Sequence, residues 1–458
     1  MTFNFINCNP KYEAELLCCH FFPKDDGVLT IEKTPLSYTV SINFNGKTQT
    51  ETEPFEWSVD ATVLKRNEST AIKRAFFRAA SKLKNVSVPW GTLMGIRPLK
   101  PVERHLKQDG EEKTLELLRD FYYLSPSKAD IAIKTAKETL KTEKEKRENG
   151  VSIYVGIPFC PTRCAYCSFV SHSISNAKGL LPVYLEKLKE EILKKGEILK
   201  EKGLSPETLY IGGGTPAVLS ADEISSLFET LNTAFNLDNF KEITFEAGRP
   251  DCITEEKARA LASVSTNIRI SVNPQSLNDE VLKRIGRNHT AKDFFNALET
   301  VRNKGLNRIN SDVIAGLNGE SLESFKNTLL TLINENIPSL TVHTLCKKRA
   351  ADNESYENPE VCEMVDFSAD VLAESGYLPY YLYRQRNISS NLENIGWAKD
   401  NGKCLYNIYM MEEVQTVIAC GAGSVSKILK DGRVLREGNC KFPHEYLKRP
   451  LNFDKSLL

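Results

Sequence analysis

The chain of 458 residues has no excess of charge of either sign: Lys and Arg number 60, Asp and Glu 60, and the formal net charge is zero. A balanced chain sets up no long-range field that gathers nucleic acid or an anionic membrane surface, so the expected partner is a small molecule. No apolar run approaches the roughly 20 residues that span a bilayer. The opening MTFNFINCNPKYEAELL also lacks a basic stretch followed by a long apolar one. A cytoplasmic location is the expectation. Cysteine, at 12 residues, is too dilute for a disulfide scaffold. Three cysteines nevertheless fall close together, Cys160, Cys164 and Cys167, which suits metal ligation in a reducing compartment.

A chain of this length exceeds what one hydrophobic core usually serves. Residues 1–148 read as an N-terminal α+β domain to which no role is assigned. Its strands run over TFNFINC, GVLTIEKT and LSYTVSINFNGKTQTETE, with a hairpin turn at Asn45-Gly46 and a helix from Ser69 to about Leu83. The charged stretch TEKEKRENG reads as a solvated linker closed by Gly150. Over residues 149–350 short apolar strands alternate with amphipathic helices: VSIYVGI, TLYIGGG, EITFEAG, NIRISVN, RINSDVIAG and SLTVHTL. That alternation predicts an α/β class fold, a partial (β/α)6 TIM-like barrel, in which the loops after the strands share one face and chemistry collects there. Residues 351–458 read as a C-terminal accessory region with a helix over PEVCEMVDFSADVLAESG, an aromatic strand LPYYLYRQRN and an apolar segment QTVIACGAGSVSKIL.

The spacing C-x3-C-x2-C supplies three thiolates from one tight loop, whereas a four-iron cluster needs a ligand at each iron. The open iron of such a cluster can chelate the amino and carboxylate groups of S-adenosylmethionine. An electron from the reduced cluster then splits the C–S bond to give a 5′-deoxyadenosyl radical. A structural zinc site is the other reading, because His172 lies five residues past Cys167 and would complete a Cys3His set. The position of the triplet, after VSIYVGIPF at the start of a βα repeat, favours the cluster. Tyr154, Phe159, Tyr166 and Phe169 would shield it, or serve as ordinary core.

Other unusual residues fall at the same strand ends. Gly212-Gly213-Gly214-Thr215-Pro216 follows TLYI, where backbone can approach a ligand and offer unpaired N–H and C=O groups. Glu246 ends EITFEAG, and Asp312 shares an alternating face with Asn310; a carboxylate on a barrel strand is costly without a partner or ligand. Gln275 and Arg287 follow the fourth strand, twelve residues apart.

With the triplet, GGGTP, FEAGRP, the Gln275 to Arg287 spacing and INSDVIAGL in order, the sequence resembles the oxygen-independent coproporphyrinogen III oxidase family of radical SAM proteins. WGTLMGIRPLKPVE, VHTLCKKRA, YYLYRQRNISSNLENIGW and VIACGAGSVSK are similar to its HemZ-type branch. The resemblance implies a [4Fe-4S] cluster on Cys160, Cys164 and Cys167. It also implies S-adenosyl-L-methionine contacts from Gly213, Gly214, Thr215, Glu246, Gln275, Arg287 and Asp312, and a catalytic Tyr154 beside cluster and cofactor. It implies conversion of coproporphyrinogen III to protoporphyrinogen IX without oxygen, with a tetrapyrrole substrate and an external electron donor and acceptor. Arg163, Lys347, Lys348, Arg349, Arg384 and Arg386 are candidate partners for substrate carboxylates. The chain has Phe169 where the oxidases carry a fourth cysteine, and Gly156 where they carry a histidine. The haem-chaperone branch also lacks that cysteine, so haem binding and delivery is the alternative function, with radical SAM chemistry on another substrate a further one.

Overall fold

The computed structural model describes residues 1–22, 25–84, 88–167, 172–177, 179–346, 358–385, 388–451 and 453–458. Phe169, Lys347, Lys348, Arg349 and Arg386 lie outside the described residues. The chain divides into two compact units, residues 1–133 with 390–392, and residues 134–389 with 393–458. The division falls inside the helix Pro126–Glu145, ahead of the charged stretch that ends at Gly150.

In the first unit four strands, β1 (Thr2–Ile6), β2 (Gly27–Lys33), β3 (Ser37–Phe44) and β4 (Lys47–Pro54), form one sheet in that order. β1 runs parallel to β2 and the rest are antiparallel. Asn45 and Gly46, at φ of 51° and 74°, make the two-residue turn whose twist matches the flanking strands. The helix Ala61–Lys84 buries Ala75, Phe76 and Ala79 in one core with Val40 and Ile42 of β3. A helix at Lys11–Phe21, absent from the sequence reading, adds Ala14, Leu17 and Phe21 to that core.

The second unit is built on an eleven-stranded sheet. Six parallel strands follow one another across it: β5 (Gly150–Ile157), β6 (Ser205–Gly213), β7 (Glu242–Phe245), β8 (Arg269–Ser271), β9 (Arg308–Ala315) and β10 (Ser339–Thr344). They are the six strands expected from the apolar segments. Helices at Leu180–Glu201, Ala221–Phe235, Glu255–Val264, Ala291–Asn303 and Leu322–Asn334 make the crossovers. Side-chain caps fix where these start: Ser220 with Glu223, and Thr290 with Asp293, form reciprocal capping boxes. Beyond β10 the sheet continues through β12 (Asn394–Ala398) to β11 (Leu378–Tyr383), both pairings antiparallel. On the other side β13 (Thr416–Cys420) pairs parallel to β5, and β14 (Val425–Lys430) and β15 (Arg433–Gly438) follow antiparallel. The sheet does not close on itself, so the architecture is a partial (β/α)6 TIM-like barrel. Among the described residues no helix is long and apolar enough to cross a membrane.

Candidate active site

Alternation along parallel strands sends every second side chain to the inner face. In β5 to β10 those positions carry polar groups at the carboxyl ends, and they line a cavity of ≈ 560 Å³. The volume lies within the range of small-molecule sites. The residues expected to hold the cluster and the cofactor line it: Cys160, Cys164 and Cys167; Tyr154; Gly213, Gly214 and Thr215; Glu246; Gln275 and Arg287; and Asp312.

The cysteine loop leaves β5 at Ile157 and is tied down on both sides. Phe159 and Cys160 pair parallel with His172 and Ser173, the Cys167 N–H donates to the Cys164 carbonyl at 3.1 Å, and the Ala165 N–H to the Ile285 carbonyl at 3.0 Å. None of the three thiols is in a disulfide, and Cys164 is buried. Arg249 Nη1 lies 3.7 Å from Cys164 Sγ while Nε and Nη2 grip Asp251 at 2.9 and 3.0 Å, so a fixed cation stands beside the sulfur. Among the described residues no three His, Cys, Asp or Glu side chains converge as ligands of a single ion would. The Cys3His zinc set with His172 is therefore not formed. The His172 ring stands edge-on to those of Phe442 and His444 instead. Three cysteines on one loop, all lining the cavity and none in a disulfide, are a donor set that suits a [4Fe-4S] cluster with one iron left open.

The glycine loop after β6 is shaped by close approach. A Cβ on Gly214 would lie 2.4 Å from the Phe159 carbonyl oxygen, and Gly213 takes a φ of +112°. One expectation is corrected here. The Gly214 and Thr215 N–H groups are not unpaired: they donate to the Ile157 and Phe159 carbonyls, each at 2.8 Å, and tie this loop to the one that carries Cys160. What the loop can offer a ligand is carbonyl oxygen, which suits an ammonium group. Thr215 Oγ1 lies 3.6 Å from Cys160 Sγ.

Glu246 and Asp312 are differently held. Burial, and then the negative charge of Asp312, push the Glu246 carboxyl up to about 7. For Asp312 burial works against the charge, but hydrogen bonds from His343, Asn310 and Thr341 outweigh it and hold the carboxyl below its usual range. Asn273 Nδ2 and Asn310 Nδ2 each donate to it at 2.8 Å, and His343 Nε2 stands 3.7 Å away. Gln275 has a φ of 67°, which is uncommon for a residue with a side chain, and is fixed there by backbone bonds to Asp312 and Ile314 at 3.0 and 3.1 Å. Arg287 donates to Tyr166 Oη at 2.9 and 3.2 Å and to the Asn273 carbonyl at 2.8 Å, so it joins the cysteine loop to β8.

Tyr154 lies beside the stacked pair Tyr210 and Tyr406, whose centroids are 4.6 Å apart, at 6.2 Å from each, and burial raises its phenol above the usual range. Arg163 lines the cavity, whereas Arg384 is buried. Several lining residues have no counterpart in the sequence reading: Arg249, Arg269, Asn273, His343, Tyr381 and Tyr383 of β11, and Tyr406 of the helix Leu405–Glu412. Arg269 carried the same signal as Glu246, a charge within an apolar strand.

Glu246 yields a pH prediction, and Glu320, also pushed up to about 7 by burial, acts in the same direction. A carboxyl whose folded value exceeds its unfolded one keeps a proton that the unfolded chain has released. Stability therefore falls as pH rises from near 4.5 to about 7 and is level above. Glu246→Gln should remove on the order of 3 kcal/mol of that fall, seen as a smaller loss of melting stability between pH 5 and pH 8 than in the wild type. An unchanged pH slope would contradict the assignment.

The Radical SAM superfamily model matches residues 154–332. The oxygen-independent coproporphyrinogen-III oxidase-like protein HemZ of Bacillus subtilis is 40% identical over 378 residues, 80% of this chain and 75% of that protein. The heme chaperone HemW of Escherichia coli is 28% identical over 307 residues, 65% of this chain and 76% of its own. The solved coproporphyrinogen III oxidase (HemN) of Escherichia coli superposes with a TM-score of 0.51 at 22% identity, over 68% of this chain and 71% of the other, a likeness of fold.

Proposed function

The chain belongs to the radical SAM family of oxygen-independent coproporphyrinogen-III oxidase-like proteins, and from that premise we propose that it removes two propionate carboxyl groups of coproporphyrinogen III to give protoporphyrinogen IX. The observation that carries this reading is the single cavity: cysteine loop, glycine loop, two strand-end carboxylates and several cations all line it.

In this reading Cys160, Cys164 and Cys167 hold a [4Fe-4S] cluster. When bound, the cluster and S-adenosylmethionine supply hydrogen-atom abstraction from an unactivated carbon. The chain's own residues bind and orient. The carbonyls of Gly213 and Gly214 accept from the ammonium of the methionine moiety. Arg287 and Gln275 fix the rim, and Glu246 and Asp312 accept from hydroxyl or amine donors. Asp312, held ionised by its amide and imidazole neighbours, is the stronger acceptor of the two at neutral pH. Tyr154, with its neighbours Tyr210 and Tyr406, keeps water from the reacting carbon. Each propionate loses a hydrogen atom from its β-carbon, then carbon dioxide, and passes one electron to an external acceptor.

Anaerobic incubation of the reconstituted protein with S-adenosylmethionine, a reductant and coproporphyrinogen III tests this. Vinyl product and a rise in 5′-deoxyadenosine are expected together, and absence of both would reject the function. A second reading, a haem-binding chaperone, is favoured by Phe169 in place of the oxidases' fourth cysteine and by His343, Met410 and Met411, residue types that ligate haem iron, in the same cavity. Tight haem binding without porphyrinogen turnover would select it.

A further inference from the structure

Arg269 stands out among the charged side chains of the second unit. It lies on β8 within the apolar segment NIRISVN and is 2% exposed, yet it forms part of the cavity wall. Its Nη2 donates to Asn310 Oδ1 at 2.8 Å, Ser339 Oγ at 3.1 Å and Tyr380 Oη at 3.5 Å, all neutral groups. Its Nε is buried with no hydrogen-bond partner. Among the described residues no carboxylate comes within the 4.0 Å of an ion pair with it. A buried cation without a counter-charge is strongly unfavourable, so a fold that keeps one has a use for it.

The carboxylates within electrostatic reach of Arg269 are Glu242 and Glu246; burial pushes the Glu246 carboxyl up to about 7, which makes it a weak counter-charge, and Glu242 and Asp312 are committed elsewhere. Glu242 accepts from the N–H groups of Leu405 and Tyr406 at 3.1 and 3.2 Å and pairs with Arg308 at 3.3 Å. Asp312 is taken up by Asn273, Asn310 and His343. The counter-charge must then come from whatever fills the cavity. Around the guanidinium the wall is aromatic: Tyr210, Tyr381 and Tyr406 line the cavity. Flat apolar faces beside one fixed cation suit a ring system that bears an acid arm.

We infer that Arg269 is the seat of a substrate carboxylate, one acid arm of the tetrapyrrole entering the barrel and pairing with the guanidinium below the reacting centre. The inference rests on the proposed function and adds which residue reads the acid. The other carboxylate that could enter is that of S-adenosylmethionine. Arg269 opens β8, whereas the cysteine loop joins this wall past the end of that strand, through Arg287 on the Asn273 carbonyl. A cofactor held at the cysteine loop would present its acid group there rather than to Arg269.

The test is anaerobic fluorescence-quenching titration of the full-length reconstituted protein with coproporphyrin III and with its tetramethyl ester, alongside equilibrium dialysis with S-adenosylmethionine. The wild type is expected to prefer the acid. In Arg269→Gln the ratio of ester to acid Kd should fall by about 30-fold or more, the cost of a lost buried charge partner. Arg269→Lys, which keeps the charge, should retain most of the preference. A merely structural arginine would weaken acid and ester alike and leave the ratio unmoved, and that result would overturn the inference. So would a loss of S-adenosylmethionine affinity at an unchanged acid-to-ester ratio. If the glutamine variant fails to fold, Arg269→Met, of similar length and apolar, gives the same ratio reading. A wild type that binds neither porphyrin would overturn the proposed function and the inference with it, whereas a wild type that prefers the acid equally with Arg269→Gln would overturn the inference alone.

Discussion

Replacing Cys164 by alanine is expected to abolish both the broad visible absorbance of the reconstituted protein and its reductive cleavage of S-adenosylmethionine. Cys164 is the buried member of the triplet, and it is the one beside Arg249. The guanidinium is itself locked onto Asp251, so it cannot swing away from the sulfur. Loss of a residue that only supports a metal ligand already costs roughly 10- to 100-fold in affinity or activity, and loss of the ligand itself should exceed that. Iron content per chain and 5′-deoxyadenosine formation under reductant are the measurements. A variant that keeps both at wild-type levels would remove Cys164 from the ligand set. Arg249→Gln provides a graded companion: the cluster should assemble and be lost faster on dilution.

The second large effect is expected at Gly214. A methyl group there would meet the Phe159 carbonyl oxygen at 2.4 Å and its nitrogen at 2.8 Å. Both are backbone atoms of the segment that leads into Cys160, and that segment is tied to the glycine loop by the hydrogen bonds from Gly214 and Thr215. Neither side can give way without moving the other. Overpacking of this kind costs about 1–3 kcal/mol, and here it falls on the cofactor's approach. Gly214→Ala should therefore lower S-adenosylmethionine affinity by roughly 5- to 150-fold, the same cost as a ratio. Melting and equilibrium dialysis read the two effects separately. Wild-type affinity in a variant of normal stability would show that the cofactor does not touch this loop.

Much of this was legible in the sequence, and for a physical reason. The barrel strands announce themselves because each is a short apolar run between amphipathic helices, and the functional side chains sit where those runs end. The Cys160 loop, Gly213, Glu246 and Asp312 thus fall on one cavity wall as soon as the strands are taken as parallel. The opposite walls were not legible. Tyr381 and Tyr383 reach the cavity because β11 and β12 add antiparallel beyond β10, and Val417 and Lys427 because β13 returns to pair with β5 from more than two hundred residues away. Those pairings depend on long-range register that no local pattern encodes. The spent N–H groups of the glycine loop were missed for a related reason. A glycine run indicates close approach, but it does not tell whether a ligand or the chain's own Phe159 is what approaches. Arg269 was readable and passed over: its charge interrupts an apolar strand just as that of Glu246 does.

The central claim is that this cavity directs a radical to the β-carbon of a porphyrinogen propionate. Coproporphyrinogen III deuterated at those carbons, turned over anaerobically by the reconstituted protein, tests it most directly. The account predicts deuterium in the 5′-deoxyadenosine, together with vinyl groups in the porphyrin product. Cleavage of S-adenosylmethionine that proceeds at the same rate without the porphyrinogen and leaves 5′-deoxyadenosine free of deuterium would contradict it.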